Sequence, residues 1–296
     1  CFAYSKAVKD IALRQYAETL KPEWDEMYWQ AMLWEAPMLL DSYCLYIEKN
    51  RKPQERFYQP RRKTLIKVVD LLQRLEDDEL DEAFIHMPAR VGKTQMITLG
   101  TSWHCCRNTE LSNLYCSYKE DAGEAFLDGV MEIWNDPIYC HSEVFPKAKI
   151  VSTDAKANTV DLERKKKYKS LSGKGLTSGL NGLYDATGWL VADDILAGIE
   201  DVLSPDVLNR KQMLFDNNLM KRKKEKCKVI YNGTIWSLHD IFMNRMAFLE
   251  SNPEAKGIRW EVLKIPALDP DTDESNFDYD YGVGFSTKYY RIERAK

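Results

Sequence analysis

The residues Phe84-Ile85-His86-Met87-Pro88-Ala89-Arg90-Val91-Gly92-Lys93-Thr94 constrain the fold more than any others in the chain. A short apolar run gives way to Gly-Lys-Thr and then to the helix-compatible segment Gln95 to Arg107. Strand, tight loop and helix in that order are the context a phosphate-binding loop needs. Backbone N–H groups of such a loop, and the N-terminus of the helix behind it, attract phosphate oxygens. On this reading Lys93 reaches the β- and γ-phosphates of a nucleotide and the Thr94 hydroxyl ligates Mg²⁺. Pro88, Ala89, Arg90, Val91 and Gly92 then wall the phosphates. Met87 stands where the G-x-x-x-x-G-K-[ST] pattern has its first glycine. The competing reading is a surface turn with a solvated lysine.

A phosphate loop that hydrolyses a nucleotide needs an acidic partner at the tip of a neighbouring strand. Leu190-Val191-Ala192-Asp193-Asp194 has that form. Three apolar residues bury a strand, and two carboxylates emerge at its C-terminal end, where open α/β sheets bind ligands. Asp193 would hold Mg²⁺, which is usually bound through one or two carboxylates and its own waters. Asp194 would orient or polarise the attacking water. An Asp-Asp turn without chemistry is the alternative. Val229-Ile230-Tyr231-Asn232-Gly233-Thr234 is a third strand with a small, hydroxyl-bearing tip. Gly233 and Thr234 could approach a γ-phosphate and report its loss, or simply form a turn.

Composition limits the rest. The chain has 296 residues, enough for one large α/β domain with an appendage or for two modest domains. With 44% hydrophobic and 30% charged residues it has the makings of a soluble protein with a substantial core. The net charge of −4 hides an uneven distribution. Acidic residues crowd into Glu76–Glu82 and Asp269–Asp280, basic ones into Arg164–Lys169 and Lys221–Lys228. The basic runs could touch nucleic-acid phosphates or be solvated faces. Seven cysteines without a C-x-x-C pair, and only four histidines, argue against structural zinc. Cys44, Cys105, Cys116 and Cys227 sit among apolar neighbours and suit a reducing cytoplasm. No apolar run approaches the ~20 residues of a membrane helix. The opening at Cys1 and the stop at Lys296 suggest a piece excised from a longer protein.

Residues 1–50 are helical in character, divided by Pro22 and Pro37, and are expected to form a lid. The Arg- and Pro-rich segment Arg51–Arg62 leads into a helix from Lys63 to Leu75. From Ala83 onward strands and helices alternate. Strands are expected near Leu111–Ser117, Ile150–Thr153, Thr159–Leu162, Trp189–Ala192, Lys228–Tyr231 and Arg259–Ile265. Helices are expected over Lys119–Asn135, from a capping Ser204, and from Leu238. The glycine-rich stretch Ser172–Gly182 reads as a flexible loop. Such alternation predicts an α/β fold, a mainly parallel sheet sandwiched by helices.

The three strand-tip motifs together resemble the N-terminal ATPase domain of the large terminase subunits of tailed bacteriophages, the motors that pump DNA into procapsids. That family's loop is similar to Met87–Thr94, with an arginine three places before the lysine, here Arg90. Its acidic motif is similar to Leu190–Asp194, though often with glutamate where this chain has Asp194. Its coupling motif is similar to Gly233-Thr234-Ile235-Trp236-Ser237, in which Ile235 and Ser237 replace polar residues. Phe57-Tyr58-Gln59-Pro60-Arg61-Arg62 resembles its adenine-binding segment, and the residues from Pro266 to Phe277 its passage toward the nuclease domain.

The resemblance implies a P-loop NTPase of RecA/ASCE-like type with a helical lid at 1–50, an ATPase domain at 51–268 and a linker at 269–296. It implies ATP and Mg²⁺ as cofactors. Arg90 would contact the γ-phosphate. Tyr58 and Gln59 would read adenine, although buried packing is an equal alternative for Tyr58. It further implies double-stranded DNA, a portal protein and a small terminase subunit as partners, a ring of copies on the capsid with monomers in isolation, and residence in the host cell cytoplasm. No membrane partner and no nuclease activity are expected of this piece. A trans-acting finger remains open among Arg164, Lys174 and Arg210. Two rivals stand beside this reading. One is a DEAD-box-like helicase ATPase, which would need a second RecA-like domain. The other is a non-catalytic nucleotide-binding assembly module.

Overall fold

The computed structural model describes residues 2–180 and 184–295. Asn181 and Gly182, at the end of the glycine-rich stretch, lie outside the described residues, as do Leu183, Cys1 and Lys296. Helices α1 (Phe2–Thr19), α2 (Pro22–Glu35) and α3 (Leu40–Ile47) come first. Pro22 opens α2 at a position where a missing N–H costs nothing. Helix α4 (Tyr58–Glu76) begins before the expected Lys63, because Pro60 falls in its first turn and does not break it. Tyr43, Cys44, Tyr46 and Ile47 of α3 share one buried cluster with Leu65, Val68, Val69 and Leu72 of α4. The boundary expected at residue 50 therefore runs through a continuous core.

Next come β1 (Glu82–His86), α5 (Lys93–Arg107), β2 (Asn113–Ser117), α6 (Glu120–Asn135), the short α7 (His141–Val144) and the hairpin β3 (Ile150–Asp154) and β4 (Thr159–Leu162). Then follow β5 (Leu171–Gly175), β6 (Trp189–Asp193), α8 (Ile199–Leu203), α9 (Pro205–Leu214), β7 (Lys228–Asn232), α10 (Ile241–Ser251), β8 (Trp260–Lys264) and α11 (Thr287–Arg294). The strands form one eight-stranded sheet in the order β3-β4-β5-β2-β6-β7-β1-β8. From β5 to β8 every pairing is parallel, while β3 and β4 add an antiparallel edge.

Both faces of the sheet are covered. Ile85, Tyr115, Val191 and Ile230 point into the cluster shared with α4, α5 and α6. Their neighbours Phe84, Leu114, Leu190 and Tyr231 point into a second cluster with Phe215, Ile241 and Phe242. That is the two-residue period of strands buried on both sides.

Three expectations are corrected. Within the stretch expected as a loop, Ser172 to Gly175 belong to the buried strand β5, and Lys174 among them is buried. Its glycines are there for packing: a Cβ on Gly173 would lie 2.2 Å from the carbonyl oxygen of Gly123, so α6 can approach only a bare backbone. Ser204 precedes α9, but its side chain makes no capping hydrogen bond. The cap farther on is Asp240, which accepts from the Phe242 N–H at the start of α10.

Segment 269–295, expected as a solvated linker, folds back on α4. Phe277 is fully buried and the Thr64 hydroxyl donates to the Asn276 carbonyl. Asp273 is bound by Arg291 and Arg294 of α11. Among the described residues no helix is long and apolar enough to cross a membrane.

Candidate active site

Three adjacent parallel strands, β1, β7 and β6, end on the same side of the sheet, and each carries a candidate motif at its C-terminal tip. The loop after β1 reverses direction in two steps of left-handed backbone, Arg90 at φ 63° and Gly92 at φ 98°. Gly92 is required twice over. Its φ suits glycine, and a Cβ would sit 2.7 Å from the Phe57 ring packed against it. Arg90 and Ala89 are exposed, whereas Val91 and Lys93 are buried.

Lys93 folds back inside its own loop. Its ammonium donates to the carbonyls of Met87 and Pro88 at 3.0 and 3.1 Å and to the Thr234 hydroxyl at 3.2 Å. These contacts mimic the ring of oxygens that phosphates would offer. Burial lowers the Lys93 pKa, and the charges of Asp194 and Asp193 oppose that shift. At the head of α5 the Thr94 hydroxyl donates to Asp193 Oδ2 at 2.8 Å.

Asp193 is buried and fully bonded. Besides Thr94 it accepts from the Tyr115 hydroxyl at 2.8 Å and from the Asn232 amide at 2.7 Å. Burial, reinforced by the neighbouring Asp194, pushes its pKa up to about 6, against the pull of those three donors. Asp194 turns out of the strand with φ 42°. Its Oδ1 accepts from the Thr234 N–H at 3.4 Å. The Gly233 N–H donates to the Ile85 carbonyl at 3.1 Å, which fixes the coupling tip beside the β1 loop. Asp240 holds the next part of this segment by accepting from the Trp236 N–H at 3.2 Å.

These elements enclose an open cavity of about 440 Å³, lined by the loop from Ala89 to Gln95 together with Tyr118, Asp194, Thr234 and Trp236. Lys93, Thr94, Asp193, Asp194, Gly233 and Thr234 are thus brought together. Tyr58 and Gln59 are not part of that lining. Tyr58 is wholly buried and its hydroxyl donates to Asp41 at 2.6 Å, the buried-packing alternative. Gln59 is exposed and accepts from Arg56. Phe57, two residues before Gln59, packs its ring against Gly92 of the loop. Lys174 is engaged with Glu120 at 2.7 Å, so it is not free to reach a neighbouring copy, whereas Arg164 and Arg210 are exposed.

The sequence reading gave no role to Tyr115 or Tyr118, nor to Asn232 and Phe57, although these two lie within motifs it singled out. A tyrosine and an asparagine inside otherwise apolar strands were the available signal, since a buried hydroxyl or amide must find a partner.

Among the described residues no group of three or more His, Cys, Asp or Glu side chains is placed to hold a metal. Mg²⁺ asks for less: hard oxygen donors, one or two of them from the protein, with waters and phosphates completing the shell. The paired oxygens of Thr94 and Asp193 meet that requirement. No protein-family model matches the chain, and no curated protein matches it.

Proposed function

We propose that this chain is an Mg²⁺-dependent ATP hydrolase, the motor domain of a viral large terminase that drives double-stranded DNA into a procapsid. The observation that carries the hydrolase reading is the convergence of Lys93, Thr94, Asp194 and Thr234 from three neighbouring strand tips on one cavity, with the buried Asp193 bonded to Thr94 behind it. Strand β7 lies between β1 and β6, so Thr234 stands between the loop lysine and the acidic pair. That order supports the P-loop NTPase reading of the sequence motifs.

Each residue then has a task. Lys93 exchanges its carbonyl partners for the β- and γ-phosphate oxygens. Backbone N–H groups of the loop and of α5 cradle the phosphates. Thr94 and Asp193 would hold Mg²⁺, which supplies neutralisation of the β/γ charge. Asp194 turns its carboxylate into the cavity to orient water for in-line attack. Arg90 is free to swing onto the γ-phosphate. Thr234, bonded to both Lys93 and Asp194, is placed to register whether that phosphate is present.

DNA as the transported polymer, the portal and small subunit as partners, a ring of copies and the host cytoplasm come from the resemblance alone. The hydrolase reading is tested with Lys93→Ala. ATP turnover should be abolished while far-ultraviolet circular dichroism and melting temperature stay close to wild type. Wild-type turnover by folded Lys93→Ala protein would overturn it.

A further inference from the structure

The two basic runs look equivalent in the sequence, and the structure separates them. In Lys221–Lys228 the side chains are largely consumed at home. Lys223 pairs with Glu82, Lys224 with Asp185, and Lys228 with Asp78 and Asp81. The run Arg164–Lys169 divides its labour differently. Lys166 donates to the carbonyls of Thr109 and Leu111, both at 2.7 Å, and Lys169 pairs with Asp161 at 2.9 Å. Those three contacts pin the turn and leave Arg164, Lys165 and Lys167 exposed.

The hairpin register adds two more cations. The Glu163 N–H donates to the Lys149 carbonyl at 2.9 Å, which sets Lys147 and Lys149 beside the same turn. None of these five side chains has an ion-pair partner among the described residues. They gather on the outer edge of the sheet, at β3 and β4, on a chain whose net charge is −4.

We propose that this edge, formed by Lys147, Lys149, Arg164, Lys165 and Lys167, binds the phosphate backbone of duplex DNA. Taking DNA as the nucleic acid rests on the motor reading above. The surface itself favours a polyphosphate over a protein. Protein interfaces centre on buried apolar and aromatic anchors, and among the five cations the large exposed apolar side chain is Val151. A phosphate backbone needs only fixed cations, each of which releases a condensed counterion. The negative net charge of the chain disfavours DNA over the surface at large, which makes this cluster of cations the favoured place of contact.

The test is fluorescence anisotropy of a labelled 30-base-pair duplex with the whole chain, without nucleotide, over a range of salt. Five phosphate contacts give a slope of log K against log salt of about −4 to −5. The triple variant R164Q/K165Q/K167Q should reduce the slope to about −2 and weaken binding on the order of 10²-fold at 0.1 M salt. A control of equal charge change, K221Q/K226Q/K256Q, alters exposed lysines elsewhere and should leave the slope near wild type. No wild-type binding at low salt, an unchanged slope in the first triple, or equal losses in both triples would each overturn the proposal. Tighter binding of poly-glutamate than of the duplex at equal charge would assign the edge to an acidic protein and overturn it too. ATP turnover without DNA should be unchanged in K165Q/K167Q, which spares the finger candidate Arg164, and DNA binding unchanged in Lys93→Ala, so failure here is separable from failure of the hydrolase reading.

Discussion

The Thr94 hydroxyl donates to Asp193 Oδ2 across 2.8 Å, joining the first turn of α5 to the tip of β6. The two residues lie far apart in sequence and come from separate motifs, yet one hydrogen bond ties the buried Asp193 to Thr94 on the cavity wall. From that bond follow distinct expectations for the two neighbouring carboxylates. Asp194→Asn should bind Mg²⁺·ATP with near-normal affinity and lose at least ~10²-fold in turnover, as expected when a group that handles the water is disabled. Asp193→Asn should weaken Mg²⁺-dependent binding itself. Titration calorimetry beside a turnover assay separates the two effects. Unchanged turnover in both variants would favour a binding module over an enzyme.

Tyr115 is a positioning residue. Its ring stacks on Phe126 with centroids 3.7 Å apart, and its hydroxyl fixes one oxygen of Asp193. Tyr115→Phe keeps the stack and removes the hydrogen bond, a loss of about 1–2 kcal/mol. The Mg²⁺ concentration giving half-maximal turnover should rise roughly 5- to 30-fold with little change in the maximum. An unaltered Mg²⁺ dependence would show that Thr94 and Asn232 suffice.

How much of this could be read from the sequence depended on local pattern. The tips of β1, β6 and β7 were legible because each is a short apolar run that stops abruptly at polar residues. Strand β5 was not, because Leu171-Ser172-Gly173-Lys174-Gly175 has the composition of a loop. Only α6 pressing on its glycines, and Glu120 neutralising Lys174, make it a central strand. Tyr58 sits within a resembling segment, but whether a tyrosine faces a ligand or the core is decided by tertiary packing, here by Asp41. The two basic runs could not be ranked before the partners of each lysine were known.

The acid limb of stability should contain a contribution from His141. It is buried, with Nδ1 2.8 Å from the Tyr43 hydroxyl and Nε2 3.3 Å from Cys106 Sγ, and burial lowers its pKa from 6.5 to about 4. A base whose pKa is depressed in the fold stays neutral there while the unfolded chain takes up a proton. Stability is therefore fully present above pH 6.5 and is lost as pH falls toward 4, by about 3 kcal/mol in all. Urea unfolding of His141→Gln should start from a lower stability at pH 7 and fall less between pH 6.5 and 4.5. An identical pH slope in the variant would contradict the assignment.

If the chain works in a ring, an isolated copy lacks whatever cation its neighbour supplies. A trans arginine contributes on the order of 10³-fold or more to phosphoryl transfer. The chain alone should therefore be a slow, largely monomeric ATPase whose turnover per subunit rises with protein concentration. Light scattering and turnover measured over the same concentration series check this. Fast, concentration-independent turnover by a proven monomer would rule out a trans-acting group.

The most direct measurement is a crystal structure with Mg²⁺ and a non-hydrolysable ATP analogue. The β- and γ-phosphates should lie in the loop from Ala89 to Thr94, with Lys93 released from the carbonyls of Met87 and Pro88 and bonded to them. The metal should sit about 2.1 Å from the Thr94 hydroxyl, and Asp194 should face the γ-phosphate. An analogue bound elsewhere, or Lys93 still bonded to its own loop with the analogue present, would contradict the assignment of this cavity as an ATP hydrolase site.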